Sequence, residues 1–560
     1  MRPSRNPVTT PLVLLTVALA ALSAGDRPAN QAAACGGFFC QRVPINQTAE
    51  QIIFRQDGTQ ITAIVLIQYQ GTAEDFSWIV PVPGIPDLSV VPGLLFQTLE
   101  SATRPRFTLE VNGQACPDDR FFGPLFAGLP ATTNAEDSGV TILQEQMVGP
   151  FDVQIVTSED ADALATWLNA NNYDLTERGS ELIAPYVAEG MNFVALRLRQ
   201  DRGVGDIEPL QMVYQSERPM IPIRLTAIAA QPNLGIIVWL LGPARGVPVN
   251  YLHVTPNYAR LDWYGGTFNA YGSYQSLITV AMDEIGGQGF ATDYAGRDAS
   301  LIESVLTRPQ QLREEAARLG TVPDAAAGVA QLINGFVFPG SKVLEIYRRR
   351  LPLPEGVAVS SYGNSQELAR VFDSATLQTA LSATLDELES DLVQPLETAL
   401  AVFDDEPYLT RLFTTLSAEE MTLDPQFGFN TDLPDQPLER SATLDLACNL
   451  GQTTWTLTLG DGTGRSGEVV MEGSGEMPFS VPELLAAQSP VKDAVMLLDN
   501  VAAPADGSPQ IVVDNDFDRV VSPPGSDLPL CDLGVVPALA LFGLAFTGYR
   551  RRVARGRQRN

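Results

Sequence analysis

Histidine is almost absent from this 560-residue chain, where His253 stands alone. Zinc centres built on several histidines are therefore excluded, as are His-Glu-x-x-His proteases. A serine–histidine–aspartate triad would have to use His253, in Tyr251-Leu252-His253-Val254. That stretch reads as a strand, and no Gly-x-Ser-x-Gly elbow occurs. Lysine is scarce too: Lys342 and Lys492 stand against 34 arginines, which reads as a GC-rich codon bias. Five cysteines are too few for a disulfide scaffold, and none has paired Cys-x-x-Cys spacing for a closed zinc set. No phosphate loop and no dinucleotide fingerprint in a strand–turn–helix setting is present.

Basic residues are lacking between the two ends. Without the six arginines of the tail and without Arg2, Arg5, Arg27 and Asp26 of the leader, 27 basic and 65 acidic residues remain, a net charge near −38. Nucleic acid is excluded as a partner, because phosphate binding needs a positive surface. The acidity could serve divalent cations or solubility, and solubility is the favoured reading.

The ends carry what charge and hydropathy there is to place the protein. Arg2 and Arg5 precede an apolar run from Pro11 to Leu22, and small residues lead to Ala32-Ala33-Ala34 before Cys35. This is the pattern of a secretory signal over residues 1–34. Ala-Ala-Ala-Cys also approximates a lipoprotein cleavage site that would lipidate Cys35, although Ala32 stands where Leu is usual. At the other end, Leu533 to Tyr549 is uncharged, and Arg550, Arg551, Arg552, Arg555, Arg557 and Arg559 follow. About 20 apolar residues span a bilayer, so this run is short but sufficient, and the Arg cluster belongs on the cytoplasmic side. The expected anchor is a membrane helix at 532–549 with a cytoplasmic tail at 550–560. The alternative is a C-terminal sorting signal that is removed.

Between the ends the pattern is α+β. Gln51 to Phe54, the Asp57-Gly58 turn and the doubly apolar run Ile61 to Ile67 read as a hairpin with a central strand. Phe76 to Pro83 is a strand that its prolines confine to an edge. Phe151–Val156, Asn192–Arg199, Leu210–Tyr214, Ile221–Ala229 and Gly235–Leu241 read as further strands, with helices at 159–169, capped by Ser158, and at 177–189, where Pro185 threatens an early stop. Residues 35–266 are thus expected as a mainly antiparallel α+β domain. From 267 to 430 the period turns helical: Leu377, Leu381, Leu385, Leu388, Leu392 and Leu396 form one stripe, which Pro395 is expected to kink or end. Residues 431–500 form a small β region around a Gly-rich turn at 460–464. Residues 501–531 form a stalk whose last ten residues could reach about 30 Å.

In an oxidising compartment the cysteines read as disulfides. Gly36-Gly37 would let Cys35 and Cys40 close a small loop, Cys116 and Cys448 are left to pair across the domains, and Cys531 stands beside the membrane. Glu74 and Asp75 precede Phe76 and Trp78, which suits either a glycosidase acid with a sugar platform or a turn leading into an edge strand with core aromatics. Asp514, Asp516 and Asp518 alternate as in a calcium loop, but Arg519 replaces the glycine that the turn requires. No other cofactor is expected.

Three stretches carry a resemblance. They are Cys35-Gly36-Gly37-Phe38-Phe39-Cys40 with Pro44 to Glu50, Gly71 to Pro83, and Pro407-Tyr408-Leu409-Thr410-Arg411-Leu412 through Glu420-Met421-Thr422-Leu423-Asp424-Pro425. Glu189 to Phe193 and Ile221 to Ala227 fit the same pattern. Together, over roughly residues 35–430, the chain resembles the bacterial family called domain of unknown function 2330. The resemblance implies an exported bacterial protein and carries over no activity. Two function classes follow: a non-catalytic surface ectodomain that binds an envelope polymer, another ligand or another surface protein, and a carboxylate-dependent hydrolase acting on envelope polymer. The absence of a nucleophile–base set favours the first.

Overall fold

The structure, a computed structural model, describes residues 50–66, 76–114, 141–459 apart from positions 172, 174, 176, 201, 204, 205, 229, 262, 264, 265 and 406, and residues 469–474, 494–500 and 510–514. The leader, Cys35, Cys40, Glu74, Asp75, Cys116, most of the stalk, the apolar run 532–549 and Arg550, Arg551 and Arg552 lie outside these. Among the described residues no helix is long and apolar enough to cross a membrane.

The Asp57-Gly58 turn behaves as its sequence suggests. Gly58 adopts a φ of 58°, which costs glycine little. Strands β1 (Glu50–Asp57) and β2 (Gln60–Leu66) pair antiparallel across it. A second hairpin-like arrangement builds a smaller sheet. β3 (Ser77–Val82) is its outer strand, followed by β8 (Asn192–Leu198), β7 (Phe151–Thr157) and β6 (Thr141–Val148), all antiparallel. Two short strands, β4 (Asp87–Val90) and β5 (Arg106–Gly113), leave this sheet for others.

The β1–β2 hairpin lies inside a ten-stranded sheet. On one side of β2 come β9 (Leu210–Gln215) and then β4. On the far side of β1 come β10 (Leu234–Gly242), β14 (Tyr408–Leu416), β13 (Gly289–Gly296), β12 (Leu252–Pro256), β19 (Val495–Asn500) and β20 (Gln510–Asp514). β11 (Arg245–Pro248) pairs with β15 (Phe427–Asn430). β5 runs parallel to β16 (Glu439–Asn449), which continues antiparallel through β17 (Gln452–Leu459) to β18 (Val469–Ser474). Strands from all three sequence regions therefore share sheets.

Strand alternation divides the core into layers. Ile52, Phe54, Ala63 and Val65 face Trp78, Val80, Val153 and Leu196 of the smaller sheet. The other side of that sheet packs on α2 (Ala161–Ala170) and α3 (Glu177–Ala188) through Ile79, Val156, Phe193, Leu164 and Tyr186. The opposite side of the large sheet, with Ile53, Ile64, Ile237 and Trp239, is covered by α1 (Leu94–Thr103), α5 (Gly266–Ile285) and the helices between Ala299 and Ala399.

Four local expectations need correction. Asp160, not Ser158, caps α2: its carboxylate accepts from the amides of Asp162 and Ala163. Pro185 lies within α3, which continues to Ala188. The leucine stripe is buried at Leu377, Leu381, Leu388, Leu392 and Leu396, but ahead of Pro395 the helix widens into a π-turn over Glu389–Val393 instead of ending. That is one way a helix accommodates the missing amide and the ring of a proline. The helical region expected to run to 430 is also interrupted, because Tyr408–Leu416 is the fully buried strand β14 between β10 and β13.

Candidate functional site: a slot between the two sheets

One strand expected in the N-terminal region, Ile221–Ala229, is not a strand. Ile223–Thr226 forms the short helix α4. The alternation of Ile221, Ile223, Leu225 and Ala227 suits a strand locally, but a distant carboxylate overrides it. Asp424 accepts from the backbone amide of Arg224 at 3.0 Å and from its Nε at 2.7 Å, and Tyr186 Oη donates to the same carboxylate at 2.8 Å. Arg224 also donates from Nη2 to Glu189 Oε1 at 3.1 Å and lies over the Tyr186 ring, 4.3 Å from its centre. The Asp424 turn is itself held: Tyr251 Oη donates to the Leu423 carbonyl and Asn250 Nδ2 to the Asp424 carbonyl. Burial pushes the Asp424 carboxyl above its ordinary value, against the opposing pull of Arg224.

Pinned in this way, α4 stands beside the outer strand β3 and leaves a slot with a volume of about 40 Å³. Trp78 and Val80 line it from the inter-sheet side of β3, and Ile79 from the other side. Pro222, Leu225 and Thr226 close it from α4, and Phe54, Met212 and Tyr214 from the large sheet. One water needs roughly 10–15 Å³ by this kind of measure, so the slot holds a head group a few atoms in size.

Glu50 is the one acidic residue on the slot's wall. It opens β1, on the same side as Ile52 and Phe54, and is half-buried. Burial alone raises its pKa to about 7. No hydrogen bond or ion pair holds its carboxyl among the described residues. The arrangement can bind a small, partly apolar group and either give it a proton or accept one. Among the described lining residues there is no second carboxylate for the acid–base pair that glycoside hydrolysis uses.

A second polar cluster lies on the other side of the large sheet. Arg411 of β14 is fully buried, with Nη2 2.7 Å from Glu100 and Nε 3.2 Å from the fully buried Asp293. Tyr274 donates to Asp293 at 2.5 Å, and Arg411 donates to the Tyr271 hydroxyl at 3.2 Å. Arg411 and Asp293 are fully buried in the packed layer between sheet and helices, and Glu100 at its edge is part-exposed.

Of the residues singled out in the sequence, Trp78 is 5 % exposed and lines the slot. Glu74 and Asp75 lie outside the described residues. Cys448, on β16, is disulfide-bonded, while Cys35, Cys40 and Cys116 lie outside. His253 is buried on β12 with Nε2 3.0 Å from the Thr292 hydroxyl. Asp514 ends β20, and the rest of the imperfect calcium pattern lies outside. Among the described residues no three His, Cys, Asp or Glu side chains stand together as metal ligands. Glu50 itself went unrecognised, although the signal was present: an acid two residues ahead of Ile52, on the apolar face of a strand.

Residues 28–316 match the family of uncharacterised proteins conserved in bacteria, domain of unknown function 2330. The chain belongs to that family. No curated protein and no solved structure matches it. The slot draws on family stretches quoted above, Glu50, Trp78 to Val82 and Ile221 to Thr226, all inside the matched residues. Asp424, which pins α4, lies beyond them.

Proposed function

We propose that this member of the domain of unknown function 2330 family is an extracytoplasmic binding protein. It is tethered by the apolar run at 532–549 and holds a small ligand group in the slot between β3 and α4. The observation that carries this reading is the slot itself: a space open between two sheets, lined mainly by apolar side chains, with one carboxyl among the described lining residues. A packed core seldom leaves such a space, and small-ligand sites are typically apolar with few polar groups. Among the described lining residues Glu50 supplies the one carboxyl, whereas envelope polysaccharide cleavage uses two, which favours the binding reading.

The test uses the full-length protein in detergent. Short alkyl probes (1-propanol, n-propylammonium and butyrate) are titrated while tryptophan fluorescence is read, and purified peptidoglycan is assayed for newly released reducing ends. A saturable change with at least one probe, abolished in Trp78→Phe, supports the binding reading. Release of reducing ends that disappears in Glu50→Gln would establish a hydrolase instead.

A further inference from the structure

We infer that the slot takes an alkylammonium group, with the cation against the Glu50 carboxylate and the alkyl part among Trp78, Val80, Met212 and Leu225. This rests on the binding reading above and adds the charge and size of the ligand.

Four observations lead to it. Among the described lining residues Glu50 is the only acid and none is basic, and its carboxyl has no partner among the described residues. A buried charge without a partner is costly, and an arriving cation relieves that cost. Phe54, Trp78 and Tyr214 border the same space, and aromatic faces attract ammonium groups as carboxylates do. The guanidinium of Arg224, on the helix α4 that closes the slot, is already held by Asp424 and Glu189. An anionic ligand such as a carboxylate or phosphate would therefore meet no counter-charge. Finally, the 40 Å³ volume admits a head group of a few atoms and no sugar ring.

The chemistry makes binding depend on pH with a defined sign. Of the lining residues only Glu50 and Tyr214 titrate, and burial moves the Tyr214 phenol further above its already high value, so it stays neutral. Across α4, Asp424, Tyr186 and Glu189 are engaged with Arg224. An ammonium ligand prefers the ionised form of Glu50, which titrates near pH 7. Between pH 6 and pH 8 the ionised fraction rises from about a tenth to about nine-tenths, so affinity should rise about tenfold.

The experiment titrates full-length protein in detergent with n-propylammonium, 1-propanol and butyrate at pH 6 and pH 8. The expected result is saturable binding of n-propylammonium, about tenfold tighter at pH 8. It should weaken at least tenfold and lose its pH dependence in Glu50→Gln, and return in Glu50→Asp. If Glu50→Gln does not fold, the wild-type pH profile and the comparison of the three probes still decide. Equal binding of 1-propanol overturns the ammonium preference but leaves the slot as a binding site. Tighter butyrate binding at pH 6 overturns it in favour of an acid ligand. Silence from all three probes overturns both the inference and the binding reading.

Discussion

An unpartnered carboxyl in an apolar slot weakens the folded protein at neutral pH, and Glu50 should show it. Its folded pKa is about 7 against an ordinary 4.5. Below pH 4.5 both folded and unfolded chains hold the proton, so there is no penalty. Between 4.5 and 7 only the folded chain holds it, and stability falls as pH rises. Above 7 the loss is complete, roughly 2–3 kcal/mol after allowance for partial exposure. Glu208, also raised to about 7 by burial with Lys342 opposing, adds a slope of the same sign, so only a single-site comparison isolates Glu50. In urea unfolding, Glu50→Gln should lie close to wild type at pH 4 and exceed it at pH 8. A constant difference at the two pH values would refute this. Trp78 behaves differently. It is anchored in the inter-sheet core as well as lining the slot, so Trp78→Ala should cost about 3–5 kcal/mol. An unchanged denaturation midpoint would mean that its ring contributes little to that core.

At the scale of elements, the helix α4 depends on a residue some 200 positions away. Asp424→Ala removes the acceptor for the Arg224 amide and guanidinium and for the Tyr186 hydroxyl together. Stranding those groups should cost about 3 kcal/mol. It should also speed amide hydrogen exchange at Arg224 and Ala227 more than in β8 or β10. Uniform exchange across the molecule would show that α4 does not depend on Asp424. The same dependence explains what the sequence conceals. The β1–β2 hairpin, the edge position of β3 and the buried leucine stripe follow from turn residues and periodicity within a dozen positions. The α4 helix does not, because Ile221 to Ala227 alternates like a strand and only Asp424 decides otherwise. β14 was hidden differently. It follows a long helical stretch, and its identity lies in partners at 234–242 and 289–296. The slot was invisible for a related reason: its walls come from β1, β3, β9 and α4, whose apolar residues each read locally as core.

At the scale of the whole molecule, the sheets bind together parts of the chain that are far apart in sequence, and at one such seam the pairing of a cysteine offers a test of compartment. β5 runs parallel to β16 in a register that sets Gly113 opposite Leu446. Cys448 lies two residues further along β16 and is disulfide-bonded. Cys116 is the expected partner, being three residues beyond Gly113, whereas Cys35, Cys40 and Cys531 are remote from this register in sequence. A bond between them would close a loop of more than 300 residues, for which chain-entropy reasoning gives a stabilisation of several kcal/mol. It would persist only outside the reducing cytoplasm. Non-reducing peptide mapping of protein taken from its native cells, with free thiols blocked at lysis, should find Cys448 linked to Cys116. Protease added to spheroplasts should remove the region between them while leaving the arginine tail protected. A blocked, free thiol at Cys448 together with full protease protection would place the folded region in the cytoplasm and remove the basis for an extracytoplasmic binding role.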